Sequence, residues 1–352
     1  MKKHLLILCY GLALTAFTAY ISLDTFVLST PYKKDTTEMN YQMFDEQKAQ
    51  STGNQEQAEE VFRTAPVTEP VSQPSDREIQ PPPEATEEIT AEAVTTTAAE
   101  EVAEPETTET EATEQDIAYQ DENITIAMKE YYMYDTRIYV ADVQLSSAEY
   151  LKTAFADDTC GKNVTAKTSV TASENNAILA VNGDYYGARE RGYVIRNGIV
   201  YRDTPSDDDL LCIYADGTMK VISQSSFTAQ ELIDQGVWQA FAFGPGLVSD
   251  GEITVSENDE VGRAMASNPR TAIGMLSENH FLFVVSDGRT SESAGLSLYQ
   301  LAEFMKSLGA ETAYNLDGGG SSTMYFGGEV INNPTNNGKI KERSVSDIVY
   351  IG

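Results

Sequence analysis

Residues 297–326 read SLYQLAEFMKSLGAETAYNLDGGGSSTMYF, and this stretch decides the fold class. Leu298, Leu301, Met305 and Leu308 fall at helical spacing, giving a helix one apolar face. Ser297 with Gln300 three residues later has the form of a capping box, and Gly309 closes the helix. ETAYNLD then reads as a short buried strand that runs into three glycines, and STMYF follows as another. A capped amphipathic helix feeding strands implies helices packed on sheet, an α+β arrangement.

Working outward, FLFVVSDG (281–288), AILAVNG (177–183) and SVSDIVYI (344–351) read as further buried strands. ITIAMKEYYMY and RIYVADVQL, β-branched and aromatic, add two strands from Asn123 onward. Asn197-Gly198 and Asp216-Gly217 each sit between apolar residues, the mark of a two-residue hairpin. NVTAKTSVTASENN and TAQELIDQG predict two short helices, the second ended by Gly236. Residues 123–352 therefore predict one globular α+β domain with a mixed β-sheet and a few helices.

Two other regions precede it. Leu5 to Leu23 carries no charged residue, about the length a helix needs to cross a bilayer. No small-x-small cleavage site follows, so residues 1–32 predict an uncleaved single-pass anchor rather than a signal peptide. The domain then lies outside the cell membrane, and would be secreted if the segment were cleaved. Residues 33–122 predict a disordered acidic stalk rich in Thr, Glu and Pro. The chain's net charge is −31, and residues 35–122 alone hold 24 acidic side chains against Lys48, Arg63 and Arg77. Such a chain is no partner for nucleic acid. Two His and three Cys leave too few soft ligands for a structural zinc site. Cys160 and Cys212 are the candidates for an exported disulfide, their proximity left open.

Four polar stretches directly follow apolar strands: Asn182-Gly183-Asp184-Tyr185-Tyr186, Pro269-Arg270-Thr271, Ser286-Asp287-Gly288-Arg289 and Asn315 to Ser321. Gly318, Gly319 and Gly320 exceed what a turn needs, and their amides could cradle an anion. Arg270 and Arg289 are candidate phosphate clamps, since a guanidinium binds two oxygens at once. Asp184, Asp287 and Asp317 are candidate acids and bases, paired carboxylates being the usual means of cleaving an anomeric bond. Tyr185 or Tyr186 could stack on a sugar, and Asn182 hydrogen-bond it. His280 lies beside a buried strand, a poor place for the base of a Ser-His-Asp triad.

The strings AILAVNGDYYG, NPRTAIG, FLFVVSDGR, the helix-to-glycine stretch quoted first and KERSVSDIVYIG, in that order, resemble the phosphodiester glycosidase family. By that resemblance the site comprises Asn182, Gly183, Tyr186, Arg270, Thr271, Asp287, Asp317, Gly318, Gly319, Ser321 and Arg343. Asp184 departs from the family pattern, which has a small residue there, so its part in catalysis stays open. The resemblance implies a hydrolase that splits a sugar-1-phosphodiester at the anomeric carbon, with a phosphorylated glycan or envelope polysaccharide as substrate. Asp317 or Asp287 then serves the oxocarbenium ion or the water. The alternatives are a P–O-cutting phosphodiesterase, with Asp184, Asp287 and Asp317 as oxygen ligands to Ca²⁺ or Mg²⁺, and a glycan-binding module without catalysis. No cofactor is fixed by these residues.

Overall fold

A computed structural model gives the fold and describes residues 2–26, 28–34, 39–45, 117–259 and 267–352. Three antiparallel sheets surround a common core. The largest has eight strands in the spatial order Glu252–Ile253, Gly246–Ser249, Thr312–Asn315, Thr271–Ser277, His280–Ser286, Thr136–Leu145, Ile124–Met133 and Ile117–Gln120. A five-stranded sheet runs Glu329–Val330, Met324–Phe326, Leu179–Asn182, Asp347–Ile351 and Leu151–Phe155. Another runs Ile199–Arg202, Val194–Arg196, Val237–Phe241, Asp209–Tyr214 and Met219–Ser223. Val143, Leu179, Ile213, Phe241, Phe283 and Val349 from all three sheets meet in the core.

The α+β class holds, with few helices and mostly sheet. The expected mixture of parallel and antiparallel strands does not: every strand pair among the described residues is antiparallel. Hairpins account for much of this. Asn197 and Gly198 both take positive φ (51° and 73°) between paired strands, the backbone twist a two-residue turn requires. The helix Leu298–Ser307 begins with the expected capping box, Ser297 Oγ accepting from Gln300 N and Gln300 Oε1 accepting from Ser297 N. Its Leu301, Phe304 and Met305 cover the outer face of the largest sheet, against Leu282 and Val284. That packing orients Thr312–Asn315, the strand that ends in the glycine run.

The N-terminal apolar stretch forms the helix Lys2–Phe26. Among the described residues no helix is long and apolar enough to cross a membrane, so the predicted span gains no support beyond the helix itself. Most of the predicted stalk, including the unit Gln50–Glu109, lies outside the described residues. Its first residues belong to the domain. Thr30–Lys34 pairs with Thr159–Lys162, placing Lys33 opposite Cys160, and a helical turn at 42–45 follows. Met43 and Phe44 are buried, and the Phe44 ring meets Trp238 edge-on with centroids 5.0 Å apart. Such burial contributes roughly 1.5–3 kcal/mol per large apolar side chain. An average over the segment's composition hides two apolar residues that bind it.

Candidate active site

Sheet register brings the polar stretches together. Ala272 faces Asn315 and Thr271 faces Val285 in adjacent antiparallel strands. The chain entering one strand at Pro269-Arg270 therefore lies beside the chains leaving the others at Leu316–Gly318 and Asp287–Arg289. Leu316 N donates to Thr271 O (2.8 Å), and Gly319 N donates to Pro269 O (2.7 Å). Gly318 is required here, because a Cβ on it would stand 2.8 Å from Pro269 O.

These chain ends line a recess of about 280 Å³ formed by Arg270, Arg289, Arg343, Asp317, Asn268, Asn315, Phe243, Leu316 and the three glycines. Asp317 Oδ2 accepts from Ser321 Oγ (2.6 Å) and from Arg343, whose Nε also donates to Ser321 Oγ (2.8 Å). Burial raises the Asp317 pKa above the ordinary carboxylate value. Arg343, Ser321 and the Gly318 amide oppose that rise. Arg289 donates through Nε and Nη2 to Asn268 Oδ1 (3.1 and 2.7 Å), which fixes its guanidinium beside Gly319. Arg270 Nε donates to Leu296 O (2.9 Å). Tyr185, 44% exposed, stands at the rim with Arg343 5.6 Å from its ring centroid.

Several predicted site residues act behind the recess instead of lining it. Asn182 is fully buried: its amide donates to Asp317 O (2.6 Å), and its Oδ1 accepts from Thr271 Oγ1 (2.8 Å) and Thr323 N (3.3 Å). Asn182 and Thr271 thus brace the loop, and Asn182 is not placed to bond a sugar. Gly183 leaves room for Asp347, whose Oδ1 would lie 2.3 Å from a Cβ there. Tyr186 is buried and packs edge-on against Phe155, so of the two tyrosines only Tyr185 can meet a sugar. Of the three amides expected to cradle an anion, that of Gly319 is already bonded to Pro269 O.

The three candidate acids separate. Asp184 Oδ2 accepts from Ala242 N (3.0 Å) and pairs with buried Arg196 (3.1 Å), while its Oδ1 accepts from Tyr186 N (3.0 Å). Arg196 also bonds Asp347 through Nε (2.8 Å). Asp287 holds the following loop, accepting from Asn333 N (2.8 Å), Asn333 Nδ2 (3.1 Å) and Asn332 Nδ2 (3.2 Å). Of the three, Asp317 alone lines the recess, while Asp184 and Asp287 hold neighbouring segments through the bonds above. They do not form the ligand set expected for Ca²⁺ or Mg²⁺, and among the described residues no three His, Cys, Asp or Glu converge as one. His280 bonds Asp142 (2.6 Å) on neighbouring strands and takes no part in the recess. Cys160 and Cys212 are free, buried thiols in separate apolar clusters, so the candidate disulfide is absent.

Sequence reasoning missed Phe243, Arg196 and Asp347. Phe243 also walls a larger neighbouring cavity of about 570 Å³, where Asp207, Asp208, Asp209 and Asp259 gather. Three arginines meet in the smaller recess, whereas Arg189 is the arginine lining the larger cavity among the described residues.

The sequence model of the NAGPA phosphodiester glycosidase family matches residues 175–352. An uncharacterised SPbeta prophage-derived protein, YomE of Bacillus subtilis (strain 168), is 31% identical over 188 residues, 51% of this chain. The mouse N-acetylglucosamine-1-phosphodiester alpha-N-acetylglucosaminidase is 39% identical over 66 residues, 19% of this chain. The chain spans only 28% of the length of the prophage protein and 13% of the mouse one. The zebrafish NAGPA catalytic domain, solved in a form auto-inhibited by its pro-peptide, superposes with a TM-score of 0.52 at 21% identity. That match covers 65% of this chain and 82% of the zebrafish one, a likeness of fold.

Proposed function

Because the chain belongs to the phosphodiester glycosidase family, we propose that it hydrolyses a sugar-1-phosphodiester at the anomeric carbon. One observation carries the reading: among the described residues, Asp317 is the single carboxylate lining a recess that also receives Arg270, Arg289 and Arg343. Guanidinium groups suit phosphate oxygens, to which each can donate paired N–H groups. They stabilise the charge that develops as the C1–O bond breaks and the phosphate monoester leaves with the electron pair. That leaving group needs no proton, so one carboxylate suffices where ordinary glycosidases use two. Water adds to C1, and Asp317 stabilises the positive charge on the sugar and takes the water's proton. Its raised pKa makes it a stronger base than a solvated aspartate. Tyr185 at the rim offers its ring to a sugar face.

The substrate in this reading is a phosphodiester-linked sugar on an envelope polysaccharide or related glycan. The activity for which the mouse relative is named, on N-acetylglucosamine-1-phosphodiesters, supports the sugar phosphodiester class. The proposal extends to location: the uncharged run Leu5–Leu23 supports attachment to a membrane with the domain outside the cytoplasm.

Hydrolysis in ¹⁸O-water tests the chemistry. Label in the sugar is the expected result, with turnover by a folded Asp317→Asn protein reduced at least about 100-fold. Label in the phosphate overturns anomeric cleavage, and full turnover by Asp317→Asn removes that residue from the mechanism.

A further inference from the structure

The N-terminal helix and the domain are joined twice, once through space and once along the chain. The helix ends at Phe26, and Thr30 is already paired with Lys162. Four residues reach at most about 14 Å. Asn163 Nδ2 donates to Leu28 O (3.1 Å) in the same stretch. Farther on, Asn40 N donates to Asn197 O (3.1 Å), and Met43 and Phe44 close over Trp238.

Two glycines make room for this segment. A Cβ on Gly161 would stand 2.6 Å from Thr30 O, and one on Gly198 would stand 2.7 Å from Met43 Sδ. The domain surface is therefore shaped to receive residues 28–34 and 39–45 at two separate places. Ile117 pairs with Ala127 at the edge of the largest sheet. Residues 39–45 and 117–120, early and late in the acidic segment, thus both rest on the domain.

We propose that residues 28–34 and 39–45 form a clasp that holds the domain on the N-terminal helix independently of the acidic segment. Cutting that segment leaves a two-piece protein and does not free the domain. If the helix lies in a membrane, as proposed above, the recess works close to the bilayer surface and not at the end of a long spacer. The clasp itself does not depend on that reading or on catalysis.

The test uses the full chain, in detergent, with a site-specific protease sequence inserted within residues 50–109. After complete cleavage the two fragments should elute together in size-exclusion chromatography at the mass of the uncut monomer. The emission of Trp238, the single Trp of the chain, should not change. Separation of the wild-type fragments on cutting overturns the proposal with no variant needed. Co-elution at twice the mass also overturns it, by showing that the segment is exchanged between two copies. In the double substitution Met43→Ser, Phe44→Ser the cut fragments should part and the Trp emission shift to the red. Fragments that stay together in that variant would show that these side chains are not the clasp.

Discussion

The side-chain amide of Asn182 donates to the main-chain carbonyl of Asp317 at 2.6 Å, across 135 positions of sequence. This bond joins the strand Leu179–Asn182 of one sheet to the loop that carries the recess carboxylate at the end of another. It makes the position of Asp317 a property of two sheets together.

Asn182→Ala should therefore damage catalysis without touching substrate. The change leaves Thr271 Oγ1, Thr323 N and Asp317 O short of a partner in the interior. Stability should fall by about 1–3 kcal/mol, the usual cost of an unsatisfied buried group. Urea denaturation would measure this, and kcat should fall more than KM rises. Wild-type kcat in the variant would mean that the brace is dispensable.

Arg343 sets the acid limb of activity. Its guanidinium favours the ionised form of Asp317 against the burial that disfavours it. Without that charge the Asp317 pKa climbs further, and activity that needs the carboxylate is lost at a higher pH. The kcat/KM profile of Arg343→Gln should show its acid limb moved towards neutral pH. Arg343→Lys should move it less, and an unmoved limb in both would uncouple the two groups.

Asp347 should give the fold a pH dependence of its own. Burial, the largest influence, pushes its carboxyl up from 3.8 to about 7; Arg196 opposes this, while Asp184 and Asp317 add to it. Between those values the folded protein holds a proton that the unfolded chain has released. Stability should then fall as pH rises from about 4 to about 7, and level above. Asp347→Asn removes that contribution, so denaturation midpoints between about pH 4 and pH 7 should slope less steeply than in the wild type. Identical slopes would show that Asp347 is ionised throughout.

Gly318→Ala tests the closeness of two backbones. The added methyl meets Pro269 O at 2.8 Å, and a carbonyl cannot swing aside as a flexible side chain does. Asp317 is the preceding residue, so the loop shift displaces the carboxylate. Turnover should drop at least about 10-fold while the protein stays folded, because misplaced catalytic groups lose much of their effect. Activity close to wild type would show that the loop has slack.

Sequence made the glycine run, Asp317, Arg270 and Arg289 legible, because each follows an apolar strand and antiparallel register gathers strand ends. It did not reveal that Asp184 and Asp287 face away. Their partners, Arg196 and Asn332–Asn333, are set by packing between distant segments, and no spacing encodes that. Asp347 was hidden for the same reason, inside a strand that reads as plain core. The attachment of residues 28–34 and 39–45 was hidden by composition, since one buried Phe and one buried Met scarcely alter the average of an acidic stretch.

Ser321 and Arg343 both take the same oxygen of Asp317, Oδ2. The carboxylate is thereby made unequal at its two ends, with Oδ1 the oxygen that neither of them holds. In the hydrolysis proposed above, Oδ1 would then be the oxygen open to the water's proton, and a sugar phosphate held by the arginines would meet this acid at a single atom.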